Sequence, residues 1–233
     1  MIDFHTHILP KLDDGSQSCE ESCQMLQTLV QQGVNTVALT PHFYARHEDP
    51  EQFLERRSAS WERLQQELLQ DAPRLLIGAE VLYFRGISRM EQLHALRLEG
   101  TRVLLLEMPF ERWSDYMVQE IIDLSCDGEL VVLLAHIDRY LPWQKDSTWE
   151  QLLMYGVKMQ ANAEFFASRL SSRRACRMLN EGYIHVLGTD CHNMTHRAPN
   201  MEQGIDGIIR RMSPEAAGYP QHCSRKYLEE WSI

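Results

Sequence analysis

Short apolar runs recur along this chain, and most of them end on a side chain that can hold a metal ion. The runs are Ile2–Phe4, Thr36–Thr40, Leu75–Ala79, Arg102–Leu106, Leu130–Ala135, Val157–Ala161 and His185–Thr189. Six are followed by His5-Thr-His7, Pro41-His42, Glu80, Glu107, His136 and Asp190-Cys-His192. Runs this short and apolar on both faces suit buried parallel strands. The intervening stretches carry helical spacing, most clearly Ser18–Gln32, which stops at Gly33, and Pro50–Gln70, Ser114–Cys126 and Ser171–Asn180. Strands alternating with helices predict a βα barrel or a doubly wound sheet. No linker, repeat or low-complexity tract divides residues 1–233, so a single domain is expected, with residues 214–233 as a last helix packed outside.

In a βα barrel the C-terminal ends of all strands meet on one face. Residues from His5 to His192 then become neighbours at one mouth. His5 and His7 fall on the same side of an extended chain because side chains alternate with period two. Imidazole with carboxylate and no thiolate suits Zn²⁺, Mn²⁺ or Fe²⁺, whereas oxygen ligands alone favour Mg²⁺ or Ca²⁺. A lone histidine at a strand end is more often a loop residue than a ligand, and it is the set that carries the metal reading.

Composition removes other classes. With 44% hydrophobic and 24% charged residues the chain is not disordered. Its longest apolar runs fall far short of the roughly 20 residues needed to span a bilayer. A formal net charge of −10 argues against a nucleic-acid groove, which needs a basic stripe. The first residues offer neither a basic nor an apolar leader region, which predicts a cytoplasmic protein. Cys19, Cys23, Cys126, Cys176, Cys191 and Cys223 form no CxxC pair and read as reduced thiols.

The strand ends also spell a pattern. Asp3-Phe-His5-Thr-His7-Ile-Leu-Pro10, Asp13-Asp14-Gly15, Thr40-Pro41-His42, Gly78-Ala79-Glu80, Glu107, Ala135-His136-Ile-Asp-Arg139-Tyr140 and Thr189-Asp190-Cys191-His192-Asn193 together resemble the polymerase and histidinol phosphatase (PHP) family. Within it they are most similar to the CpsB-type bacterial protein-tyrosine phosphatases of capsule and exopolysaccharide loci. The resemblance runs from Met1 to about Pro199. It implies an α/β fold, a distorted, TIM-like (β/α)₇ barrel, with three divalent ions at its mouth, most often Mn²⁺, with Fe²⁺ or Zn²⁺ as alternatives. By similarity, His5, His7, Glu80 and Asp190 hold the first ion; Asp14, His42 and His192 the second; and Glu80, Glu107 and His136 the third. The choice between Asp13 and Asp14 stays open. Phe43 stands where relatives often carry a polar residue or a second histidine, and Cys191 separates Asp190 from His192.

The implied chemistry is hydrolysis of a phosphate monoester by hydroxide formed on the metal cluster. Arg139 and Arg197 resemble the family's phosphate-binding arginines, and a guanidinium offers phosphate a planar fork of donors. With Asp190 and His136 they make the expected catalytic set. Phosphotyrosine suits this apparatus because its leaving phenol, with a pKa of about 10, needs little help from a general acid. Phe43, Tyr83, Phe84, Phe110, Trp113, Tyr140 and Trp143 crowd the same loops and offer walls for a ring, although gap-filling is the commoner role of each. The partner implied by resemblance is a phosphotyrosine protein, the tyrosine-rich tail of a bacterial tyrosine kinase that controls polysaccharide export. Other phosphomonoesters, histidinol phosphate among them, and a non-catalytic scaffold are the alternatives. Cys191 and Arg197 also fit Cys-x₅-Arg, the signature of thiolate phosphatases. That loop needs small residues where the chain wraps phosphate, and none stands between Cys191 and Arg197.

Overall fold

The computed structural model describes residues 1–126 and 128–233, leaving aside the side chains of Pro214, Ala216, Ala217 and residues 219–223; the Cys223 thiol therefore lies outside the described residues. In chain order the elements are β1 (Ile2–Thr6), α1 (Cys19–Gln31), β2 (Thr36–Leu39), β3 (His42–Phe43), α2 (Pro50–Glu67), β4 (Arg74–Ile77), β5 (Glu80–Leu82), β6 (Val103–Glu107), α3 (Asp115–Cys126), β7 (Val131–Leu134), α4 (Asp146–Met154), β8 (Lys158–Asn162), α5 (Ala163–Ala167), α6 (Ser172–Asn180), β9 (Val186–Gly188), α7 (Met201–Arg211) and α8 (Pro214–Trp231). Local signals explain the helix starts. Ser18 accepts the Glu21 N–H at the head of α1, and Asp49 accepts the Gln52 N–H at the head of α2, where Pro50 occupies the first turn.

All strand pairs are parallel. β2 and β3 are one strand broken at Thr40-Pro41, and β4 and β5 are one strand broken at Gly78-Ala79. The two break in step. Leu39 lies opposite Ile77 before the break and His42 opposite Glu80 after it, with Gly78 N–H donating to Leu39 O and Glu80 N–H to Pro41 O across it. Counted this way, the strands run β1, β2/β3, β4/β5, β6, β7, β8, β9. The ring returns to β1 where Asp190 N–H donates to His5 O at 2.8 Å and His7 N–H to Cys191 O at 2.9 Å. This is the expected (β/α)₇ barrel. Its distortion lies between β4 and β6, where Leu98 and Glu99 are inserted and bond to Val103 O and Ile77 O. Gly78 leaves room for that wedge, since a Cβ there would sit 2.5 Å from Leu98 Cδ2.

Alternation along the strands separates two cores. One fills the space between barrel and helices, with Leu39, Phe43, Phe53, Leu104, Leu106 and Val132 among its members. The other fills the barrel, with Ile2, Phe4, Leu76, Val103, Leu105, Leu133 and Val186, and α8 adds Leu228 and Trp231 to it. Trp231 meets Phe4 edge-on at 6.1 Å, and its carbonyl accepts the Arg102 N–H at the foot of β6. The last helix thus packs across the end of the barrel opposite the mouth, with Leu228 and Trp231 turned to its core. Among the described residues no helix is long and apolar enough to cross a membrane.

His185, at the foot of β9, is buried and its Nδ1 accepts the Met159 N–H at 3.2 Å. Burial, reinforced by Lys158, depresses its pKa from 6.5 to about 4. In that window the unfolded chain binds a proton that the folded ring refuses, so stability falls as pH falls. His185→Asn keeps an acceptor for Met159 without titrating. In chemical denaturation of metal-free protein, wild type should lose about 2 kcal/mol more than this variant between pH 7.5 and 5; equal losses would remove His185 as the cause.

Candidate metal centre

His5 on β1 and His7 just beyond it face the same way, and their Nε2 atoms lie 3.1 Å apart. Glu80, the first residue of β5, brings Oε2 to 3.2 Å from His5 Nε2 and 3.3 Å from His7 Nε2. Asp190, just past β9, brings Oδ1 to 3.6 and 3.5 Å from the same atoms. All four side chains are buried. Gly188 makes this possible, because a Cβ there would stand 2.7 Å from His5 Cβ.

Behind His7, the Asp13 carboxylate lies 2.7 Å from Nδ1 and also accepts the N–H groups of His42 and Gly15 at 2.9 Å each. Against burial, which raises its pKa, His7 and these amides hold Asp13 well below the usual carboxylate range. An ionised carboxylate only accepts, so His7 Nδ1 carries a hydrogen and Nε2 is the atom offered to the centre. The donor set fits a divalent ion. Glu80 Oε2 is fully buried and has no hydrogen-bond partner. His5 Nε2 and His7 Nε2 lie 3.1 Å apart, and each lies 3.2–3.6 Å from Glu80 Oε2 and Asp190 Oδ1, close to the spacing of donors that reach one ion at about 2 Å.

Two further groups adjoin this one. Asp14 Oδ1 lies 3.5 Å from His42 Nε2 and 3.4 Å from His192 Nε2, and His7 faces the same space. Glu80, Glu107 and His42 form the other, with His136 Nε2 3.1 Å from Glu80 Oε1 and 3.5 Å from Glu107 Oε1. The neighbouring aspartates thus separate in space. Asp14, its side chain 67% exposed, looks at His42 and His192, whereas Asp13 is turned behind His7.

Arg139 and Arg197 flank the cluster through Asp190. Arg139 Nη2 donates to Oδ2 at 2.5 Å and Arg197 Nη2 to Oδ1 at 2.6 Å, while Arg197 Nη1 lies 2.8 Å from His192 Nε2. Both remain partly exposed, with donors to spare. The backbone is strained at two cluster residues, His136 at φ +28° and Asp190 at φ +55°, a cost of about 1–3 kcal/mol each for a residue other than glycine.

The loop after Asp190 closes the thiolate route. Cys191 is fully buried, and burial together with Asp3 pushes its thiol pKa well up. The N–H groups of Thr195, His196 and Arg197 all donate to Asn193 Oδ1, so they form no cradle for phosphate. The loop aromatics divide likewise. Phe43 packs on Phe53, Trp113 on Tyr140 and Trp149, Tyr83 bonds Glu120, Tyr140 accepts the Met108 N–H, and Phe84 leans on the core. Phe110 and Trp143 are 47% and 41% exposed, and Phe110 stacks 5.8 Å from His136. The sequence reading overlooked Tyr44, stacked 5.0 Å from His42. It also passed over Gln160 and Asn162 on β8, which bond to His5 and Asp190. Their signal was alternation alone, two amides on one face of a strand without a ligand.

The chain matches the capsular polysaccharide synthesis family CpsB/CapC over residues 1–219. This chain belongs to the CpsB/CapC family. Among its relatives, the tyrosine-protein phosphatase CpsB of Streptococcus pneumoniae is 27% identical over 228 residues and covers 93% of each chain. The tyrosine-protein phosphatase YwqE of Bacillus subtilis is 29% identical over 223 residues, covering 92% of this chain and 86% of the relative. A solved structure from a study of YwqE and CpsB, described there as unique metal-dependent tyrosine phosphatases, superposes with a TM-score of 0.84 at 24% identity and covers 100% of this chain and 96% of the other.

Without a cation, neighbouring carboxylates hold protons on His7 and His136. Against burial, hydrogen bonds that the His136 ring donates to Glu107 and Glu80 push its pKa up to about 9, and Asp13 and Glu80 raise His7. A divalent ion must displace such protons. Titration of metal-free protein with Mn²⁺ should release at least one proton per chain at pH 7, measured calorimetrically in two buffers. Affinity should rise from pH 6 to 8; a pH-independent affinity would count against the cluster as the binding site.

Proposed function

We propose that this chain is a metal-dependent protein-tyrosine phosphatase. The observation that carries this reading is the convergence, at one mouth, of a buried cage of electron-pair donors with two arginines and two exposed aromatic rings. His5, His7, Glu80 and Asp190 would hold one ion, Asp14, His42 and His192 a second, and Glu80, Glu107 and His136 a third, with Glu80 shared. The donor chemistry suits Mn²⁺, Fe²⁺ or Zn²⁺. Such ions supply the Lewis acidity that makes water a nucleophile at neutral pH and neutralises phosphoryl oxygens.

The chain's own groups do the rest. Arg139 and Arg197, anchored on the two oxygens of Asp190, direct their remaining N–H groups at the non-bridging oxygens of the phosphate and stay charged throughout. His7, oriented by Asp13, cannot rotate out of the centre. Phe110, stacked on His136, and Trp143, tilted against Phe110, are both exposed and offer the phenyl ring of phosphotyrosine a face while its phosphate enters the mouth. A phenolate leaving group, with a pKa of about 10, departs with little protonation. No covalent phosphoenzyme is needed, in keeping with the buried Cys191. The relatives' names and the family's place in capsule synthesis support a phosphorylated tyrosine kinase of polysaccharide export as the physiological substrate, met in the cytoplasm.

Chelation should abolish turnover, and Mn²⁺ should restore it. Catalytic efficiency on a phosphotyrosine peptide should exceed that on histidinol phosphate at least tenfold; the reverse order would reject the assignment. Cys191→Ser should keep most of the activity, and near-complete loss with metal still bound would revive the thiolate route. Phe110→Ala and Trp143→Ala should raise KM for phosphotyrosine peptide about tenfold while leaving a small alkyl phosphate unaffected, and equal losses on both would exclude the ring contact.

A further inference from the structure

β8 brings no imidazole or carboxylate to the mouth, yet its Gln160 touches two residues of the cluster, His5 and His136. Gln160 is fully buried. Its Oε1 accepts the His136 backbone N–H at 2.6 Å and lies 3.2 Å from His5 Nδ1, and its Nε2 donates to Asn162 Oδ1 at 3.0 Å. Asn162, two residues on and on the same face, donates Nδ2 to Asp190 Oδ2 at 3.2 Å.

The protonation of this chain follows from one fixed donor. A backbone N–H can only donate, so the Gln160 atom facing His136 must be the carbonyl oxygen. An oxygen there accepts, so His5 Nδ1 must be the protonated nitrogen, and in the neutral ring the lone pair stands on Nε2, facing Glu80 and His7. The amide end of Gln160 then requires Asn162 to present its oxygen backward and its nitrogen forward, onto Asp190 Oδ2. That leaves Asp190 Oδ1 as the oxygen turned to the two imidazoles. The strained φ of His136 turns the initiating N–H toward Gln160, and Gly188 keeps the channel open, because a Cβ there would come within 2.8 Å of Gln160 Nε2.

We propose that Gln160 and Asn162 are positioning residues for the metal centre: through one chain of hydrogen bonds started by the His136 N–H, they select the Nδ1–H tautomer of His5 and assign the two oxygens of Asp190. This rests on the metal-centre reading for its consequence, but the tautomer can be measured without any metal. Partners of this kind around a ligand are typically worth about 10–100-fold in metal affinity.

Two measurements test it. In metal-free wild type at a pH where the imidazoles are neutral, nitrogen NMR should find His5 as the Nδ1–H tautomer, and Gln160→Leu should shift it toward Nε2–H; wild-type His5 as Nε2–H would overturn the proposal. Calorimetric titration with Mn²⁺ should give Gln160→Leu an affinity about 10–100-fold below wild type. Gln160→Glu, which keeps an acceptor for both His136 and His5, should recover the His5 tautomer and part of that affinity. Asn162→Leu should weaken Mn²⁺ without changing the His5 tautomer. Should Gln160→Leu prove too unstable to isolate, Gln160→Glu and Asn162→Leu still decide, since loss of the tautomer in Gln160→Glu or wild-type affinity in Asn162→Leu would each refute the chain. If wild type binds no Mn²⁺ while the tautomer results hold, the functional reading fails and the hydrogen-bond chain stands.

Discussion

Glu80 sets the terms for everything at the mouth of this barrel. Its carboxylate is fully buried, and the imidazoles of His5, His7, His42 and His136 surround it at 2.9–3.3 Å. A buried carboxylate without compensating positive charge costs several kcal/mol. The fold tolerates it because the same pocket favours protons on His7 and His136. The His7–Asp13 pair, the twisted backbones of His136 and Asp190, and the two arginines on Asp190 all serve to keep electron-pair donors crowded where they would otherwise separate.

Barrel architecture supplies the crowding. Pro41 interrupts one strand and Gly78 its neighbour at matching places, so the register survives while His42 and Glu80 restart side by side at the mouth. Leu98, wedged beneath Gly78, holds that double break open. At the opposite end α8 seals the barrel with Trp231 and Leu228, so the interior is a packed core below and a polar cage above. The distortion of the barrel is therefore the means by which two adjacent strands deliver His42 and Glu80 at the same height.

A chain of net charge −10 that handles an anionic phosphate needs positive charge concentrated locally. Arg139 and Arg197 concentrate positive charge at the mouth without a bound ion, and both are anchored on Asp190, a candidate metal ligand. Of the rings in these loops Phe110 and Trp143 stay exposed, while the others are engaged by packing.

Much of this was written in local patterns. Short apolar runs ending on His5, His42, Glu80, Glu107, His136 and Asp190 announce both the parallel strands and the cluster at their ends, because strand ends in a βα barrel share one face. The HxH spacing announces a shared side, and Ser18 and Asp49 announce helix starts. What sequence left open needed three dimensions. Asp13 and Asp14 are indistinguishable as neighbours, and only the turn at Gly15, where a Cβ would strike His7 O, sends one behind His7 and the other to His192. Seven aromatics look alike in their loops until packing buries Phe43, Trp113 and Tyr140 and half-buries Tyr83 and Phe84. Gln160 and Asn162 carry no ligand chemistry of their own, and their role exists only because parallel pairing sets β8 beside His5, His136 and Asp190. Identity and spacing determine which groups can reach the mouth; which atom of each faces a cation is decided by hydrogen bonds between segments far apart in the chain, whose partners no local pattern can name.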